Sequence, residues 1–186
     1  FVMGGKNYVC SASVIGENTI WTAGHCVSNG RGTFHNNWAY IPAFSNYMSM
    51  FLTPWVPTYM VVPTRFSKNL DLGGDYAIVG VKLYDSVSSQ TIRQTTGALG
   101  FAWDMPREQK WMLLGYPTYI YNGLEIVYSD STYFEDNAKY SPASICAGSR
   151  LKSGASGGPW ILNEMTGVAG QANYMNGVNS YISLAP

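Results

Sequence analysis

Gly154-Ala155-Ser156-Gly157-Gly158-Pro159 sets a serine among glycines, and far upstream Thr22-Ala23-Gly24-His25-Cys26 supplies an imidazole. A serine hydroxyl is a poor nucleophile at neutral pH. It becomes a good one when an imidazole takes its proton and backbone N–H groups hold the oxyanion that follows. Glycines around Ser156 let the backbone turn sharply and approach a substrate closely, so the N–H groups of Gly154 and Ser156 are free to converge as an oxyanion hole. The chemistry implied is acyl transfer, with Ser156 as nucleophile and His25 as general base and then general acid. A glycine-rich hairpin with an incidental serine is the plain alternative. It accounts neither for the His25 segment nor for the strand-like Pro159-Trp160-Ile161-Leu162 behind the serine.

The same letters satisfy the Gly-x-Ser-x-Gly elbow of α/β-hydrolases, in which the acid and the histidine follow the serine. Here no histidine follows Ser156, and both His25 and His35 precede it. Chain order therefore excludes the elbow. A third member must hold the imidazole in one tautomer and stabilise the imidazolium. Asp75 is the choice, because the apolar run Tyr76-Ala77-Ile78-Val79 after it would enter the core and bury the acid at its edge. Asp71, in Asn69-Leu70-Asp71-Leu72-Gly73-Gly74, competes but reads as an exposed turn. His35, in Thr33-Phe34-His35-Asn36-Asn37, reads as a surface-loop residue.

Cys10-Ser11-Ala12-Ser13-Val14-Ile15, Trp21 to Cys26, Gly74-Asp75-Tyr76-Ala77-Ile78-Val79 and Gly154 to Pro159 together resemble the chymotrypsin-like serine peptidases, over most of the chain. The phrase from Trp21 to Cys26, the Gly115-Tyr116-Pro117 turn and the lack of trypsin's activation residues are more similar to the secreted microbial, V8-like or glutamyl-endopeptidase-like branch. The resemblance implies an all-β fold of two packed antiparallel β-barrels with the active site between them. It further implies a secreted endopeptidase that cleaves protein or peptide substrates through His25, Asp75, Ser156 and an acyl-enzyme, without a cofactor. It pairs Cys10 with Cys26, a bridge over a loop of roughly 15 residues that stabilises by about 3 kcal/mol in the chain-entropy model. Two buried thiols are the alternative. Cys146 resembles a family cysteine whose partner is missing near Tyr128 to Ser131, and is expected to be a buried free thiol. In the family a first strand and a pro-segment precede the first cysteine, so Phe1 is expected to be a processed or truncated end.

Two departures from the family matter. Chymotrypsin and trypsin carry an aspartate where this chain has Ala155, and it pairs with the freed N-terminus to organise the oxyanion hole; Gly154 must be oriented here by another route. Trypsin also places an aspartate at the base of its primary pocket, where this chain has Arg150, which disfavours selection of Lys or Arg. Arg150 and Lys152, with Gly170 in the pocket wall, would draw an acidic side chain instead; ordinary surface basic residues are the alternative. The pocket histidine of glutamyl endopeptidases is expected within Gly167 to Asn173, which contains none.

Composition agrees with this class. The net charge is zero and charged residues make up only 12% of the chain, against roughly 25% in ordinary domains, so no basic excess points to nucleic acid. Aromatics reach 15%, with 14 tyrosines and 6 tryptophans. No apolar run approaches the roughly 18 residues of a membrane span, and the chain is read as a soluble monomer. Two histidines without His-Glu-x-x-His spacing and cysteines without short paired spacings make no zinc set, so neither metal nor cofactor is expected. A structural calcium stays open, although no ligand loop can be read.

Short β-branched and aromatic stretches broken by Gly, Pro and Asn recur along the chain, the pattern of sandwiches and barrels. Strands are expected over Val9 to Val14, Thr19 to Ala23, Trp38 to Pro42, Thr58 to Val62, Tyr76 to Leu83, Lys110 to Tyr116, Leu124 to Phe134, Pro159 to Leu162, Gly167 to Ala172 and Val178 to Leu184, and helical periodicity is weak. The polar stretch from Asp85 to Gly100 reads as the crossover, with the boundary near Ser89 to Gly97, giving an N-terminal barrel over 1–92 with His25 and Asp75, and a C-terminal barrel over 93–186 with Ser156. Two further readings stay open: an inactive homologue that binds a partner, and an esterase using the same triad.

Overall fold

A computed structural model describes residues 1–45, 53–85, 87–162 and 173–182. A small hairpin of β1 (Val2–Met3) and β2 (Lys6–Asn7) leads into a four-stranded antiparallel sheet. That sheet is formed by β3 (Ser13–Gly16), β4 (Thr19–Thr22), β5 (Pro57–Val61) and β6 (Ala77–Val81), in the order β3-β4-β6-β5. The second sheet has six strands: β7 (Gly100–Phe101), β8 (Lys110–Gly115), β9 (Val127–Asn137), β10 (Ser144–Ala147), β11 (Pro159–Leu162) and β12 (Tyr174–Val178). Their order is β10-β9-β8-β11-β12-β7, antiparallel except for the β12–β7 pair.

Each sheet buries its own apolar cluster. Under the first lie Val14, Ile20, Val27, Trp38, Trp55, Val79 and Ile92; under the second lie Trp111, Leu113, Leu151 and Ala155. The alternation that makes β8 half-buried is plain in its residues: Trp111, Leu113 and Gly115 face in, while Lys110 is exposed, the period-two signature of a sheet with one packed face. Gly80 in β6 has a different reason. The Tyr59 ring of β5 lies across it, and a Cβ there would stand 2.0 Å from that ring, so only glycine admits the aromatic.

Several strand expectations shift or fail. The first expected strand begins only at Ser13, the seventh runs Val127–Asn137 rather than from Leu124, and the last ends at Val178, where it was expected to begin. Trp38 to Pro42 is not a strand: Tyr40 alone makes a bridge, to Trp55, because Trp38 turns into the core with its indole N–H on the Cys26 carbonyl at 3.2 Å. Gly167 to Ala172 lies outside the described residues. Two short helices go beyond the expected pattern. The helix α1 (Thr64–Asn69) ends on Leu70 in the left-handed conformation, and α2 (Ile92–Thr96) begins with a reciprocal capping box between Thr91 and Gln94. The latter sits within the expected crossover and buries Ile92 against the first core. Chain composition there is polar because the helix exposes its other faces.

Candidate active site

His25 is held from three sides. Strand β4 delivers it into a single 3-10 turn, Gly24–Cys26, in which the N–H groups of Val27 and Ser28 both return to the Gly24 carbonyl. A Cβ on Gly24 would stand 2.9 Å from the Phe66 ring and 3.0 Å from Asp75 Oδ1, so a bulkier residue would push the turn off its support. Cys26 is joined to Cys10 by a disulfide, which ties the strand before the histidine to the turn carrying it. His35 corrects its expected exposure. It is buried, stacks on Phe1 and sets its Nε2 3.0 Å from the His25 carbonyl, so it supports the far side of the turn; burial lowers its pKa.

Asp75 follows a 3-10 turn over Leu72–Gly74 whose first N–H groups are capped by Asp71 Oδ1, which accepts from Gly73 N at 2.9 Å. Asp71 is thus a capping residue, while Asp75 turns inward just before β6. The Asp75 side chain is 1% exposed. Its Oδ1 accepts the backbone N–H of His25 at 2.7 Å, and its Oδ2 stands 2.7 Å from His25 Nδ1. Ser180, which sequence reasoning missed, donates its hydroxyl to the same Oδ2. Its only signal was position: a polar residue just past β12, which topology alone could bring to the acid. Because a carboxylate can only accept, the contact selects the tautomer with the proton on Nδ1 and the lone pair on Nε2.

Ser156 lies in the second of two consecutive tight turns. Ala155 N–H returns to the Lys152 carbonyl and Gly158 N–H to the Ala155 carbonyl, both at 3.0 Å. The third residue of each turn is a glycine at positive φ, Gly154 at +93° and Gly157 at +82°, as such turns require. A Cβ would meet the Tyr116 carbonyl at 2.4 Å on Gly154 and Thr22 Oγ1 at 2.1 Å on Gly157. The N–H groups of Gly154 and Ser156 make no hydrogen bond to the described residues.

The segment ahead of β3 and the histidine turn both reach this turn. Ser11 N–H donates to the Ser156 carbonyl at 2.7 Å, and Cys26 Sγ lies 3.7 Å from that oxygen. A His25 ring nitrogen is within 4.8 Å of both disulfide sulfurs. The serine turn and the histidine turn therefore share one wall. No hydrogen bond joins the Ser156 hydroxyl to the imidazole here, a bond that commonly tightens only in the complex with substrate. Cys10, His25 and Cys26 cluster closely enough to suggest a metal set, but both sulfurs are consumed by the disulfide and offer no thiolate.

A groove of about 1040 Å³ runs between the sheets, with Asp75, Ser156, Ser180 and Lys152 on its walls. Lys152 holds its ammonium 5.4 Å above the Tyr119 ring, and Arg150 points to solvent with its carbonyl bound by the Tyr119 hydroxyl. Gly170 lies outside the described residues. Cys146 is unpaired but only half-buried; burial, then Glu135 and Asp136, raise its pKa, which keeps it a poor nucleophile.

Fold and site define the class: a chymotrypsin-like serine peptidase. The trypsin family matches residues 1–185, and the chain belongs to that family. It is a serine endopeptidase, a hydrolase acting on protein or peptide substrates. Among solved structures it is similar to the protease Anisep from Arthrobacter nicotinovorans, at 26% identity and TM-score 0.81, covering 97% of this chain and 80% of that one. It is also similar to the thermostable serine protease AL20 from an extremophilic microorganism, at 28% identity and TM-score 0.81, covering 98% and 82%. A Glu endopeptidase shares the fold at 16% identity and TM-score 0.65, over 84% of this chain and 72% of that chain. No curated protein matches the sequence.

Proposed function

We propose that His25, Asp75 and Ser156 act as a catalytic triad that hydrolyses peptide bonds through an acyl-enzyme. In this reading Ser156 Oγ attacks the scissile carbonyl carbon while His25 Nε2 takes its proton, and the N–H groups of Gly154 and Ser156 receive the oxyanion. Collapse breaks the C–N bond, and the imidazolium protonates the departing amine. Water then repeats the cycle on the ester, releasing the acid and restoring the Ser156 hydroxyl. His25 and Asp75 belong to the half over 1–92 and Ser156 to the half over 93–186, so one chain supplies the whole site and a monomer suffices. The observation that carries the reading is the double hold of Asp75 on His25, which leaves Nε2 as the free base.

The disulfide supports a secreted protein, since such bonds persist in oxidising compartments. Lys152 on the groove wall supports a preference for acidic residues before the cut bond. The experiment is to incubate the protein with a peptide mixture, map the cut bonds and repeat with Ser156→Ala. Cleavage lost in the variant supports the triad, and enrichment of Glu or Asp before the cut supports the pocket reading. No cleavage by the native chain would favour a binding homologue, and cleavage of esters alone would favour an esterase.

A further inference from the structure

Ala155 rules out an ion pair at the position next to the nucleophile: it is buried in the Trp111, Leu113 and Leu151 cluster, with no charge to offer. Something else must aim the Gly154 and Ser156 N–H groups. In a trans peptide the C=O and N–H of one plane point in opposite directions, so fixing a carbonyl aims the N–H behind it. Three consecutive planes around the serine are each fixed in this way. The Ser153 carbonyl accepts from Thr118 N at 2.8 Å and Thr118 Oγ1 at 3.1 Å, which aims Gly154 N–H. The Ala155 carbonyl accepts from Asn179 Nδ2 and Gly158 N, both at 3.0 Å, which aims Ser156 N–H.

The plane between them belongs to Ser11. Its hydroxyl donates to the Gly154 carbonyl at 2.9 Å and accepts from Tyr116 N–H at 2.9 Å. With its own N–H on the Ser156 carbonyl and its own carbonyl bound by Thr22 Oγ1 at 2.8 Å, Ser11 is fully engaged and buried. Lying just ahead of β3, it reaches across to the serine turn with both its hydroxyl and its backbone N–H.

Building on the triad reading, we propose that Ser11 is a positioning residue for the oxyanion hole: its hydroxyl locks the central plane of a clamp whose outer planes are held by Thr118 and Asn179. Preorganised donors are effective because they need no reorganisation as charge develops, and loosening them affects the transition state more than the bound substrate.

The test compares the native chain with Ser11→Ala and Ser11→Thr on a peptide the native chain cleaves, with rates expressed per site titrated by a fluorophosphonate. Ser11→Ala is expected to lower kcat about 10²-fold, the cost of a small misplacement at the reacting centre, with KM within about twofold. Affinity for a peptide aldehyde, whose carbonyl adds Ser156 Oγ as a hemiacetal with its oxygen in the hole, falls in parallel; affinity for the matching peptide alcohol does not. The Thr variant, which keeps the hydroxyl, restores kcat. A kcat near the native value in Ser11→Ala, or equal losses for aldehyde and alcohol, overturns the proposal. If Ser11→Ala does not fold, Thr118→Val removes one clamp bond at an exposed position and is expected to lower kcat without changing KM; an unchanged kcat there overturns it equally. Failure of the native chain to cleave any peptide counts against the triad reading instead.

Discussion

Asp75 grips His25 at both ends of its carboxylate, Oδ1 on the backbone N–H and Oδ2 on the ring Nδ1, each at 2.7 Å. One oxygen thus fixes where the turn sits and the other which ring nitrogen carries the proton. Asp75→Asn keeps the shape but allows an amide N–H to face Nδ1, which stabilises the wrong tautomer. Turnover is expected to fall roughly 10⁴-fold with little change in KM, read by steady-state kinetics. Turnover near the native value would remove Asp75 from the mechanism.

The position of Ala155 gives a stability prediction. A Cβ placed on Gly115 would stand 2.7 Å from the Ala155 Cβ, so the two segments pass in contact. Ala155→Asp would force an unpaired carboxylate into that apolar cluster, at a cost of about 3–5 kcal/mol. Urea unfolding measures it, and a midpoint equal to that of the native chain would contradict the packing described.

His35 predicts a pH dependence. Burial lowers its pKa below the ordinary 6.5, so between the folded and unfolded values the unfolded chain binds more protons. Its contribution is fully present above the unfolded pKa and is lost as pH falls towards the folded one. The urea midpoint should therefore rise as pH is raised from below the ordinary His value towards pH 7, and His35→Gln should flatten that rise. An equal slope in both proteins would exclude His35 as a source.

Removing the Cys10–Cys26 bridge by Cys10→Ser with Cys26→Ser is expected to destabilise the fold by about 3 kcal/mol. Turnover at low temperature should fall as well, because the bridge anchors the turn that aims His25. A double variant with native stability and activity would make the bridge incidental.

The sequence was most readable where a local rule was absolute. Gly154 and Gly157 need positive φ, the Lys110 to Gly115 alternation needs one buried face, and His25, Asp75 and Ser156 stand in motifs whose local demands are strong. Residues recruited by topology were invisible. Ser180 and Asn179 lie just past β12, and nothing in their own neighbourhood says that one reaches Asp75 or that the other holds the turn after Ser156. Ser11 read only as part of a family phrase. His35 was misjudged for the same reason: its polar neighbours look like loop, but the Phe1 ring and the His25 carbonyl cover it. Trp38 carries strand propensity, yet burying its indole in the first core outweighs pairing.

Peptide cleavage by this chain requires one hydroxyl, on Ser156, activated by one imidazole, on His25. Fluorophosphonate labelling of the native chain, His25→Ala and Ser156→Ala, with the adduct located by peptide mass mapping, tests this most directly. The prediction is a single adduct on Ser156, formed far more slowly when His25 is replaced and absent when Ser156 is. An adduct on another residue, or peptide cleavage that survives in Ser156→Ala, would contradict it.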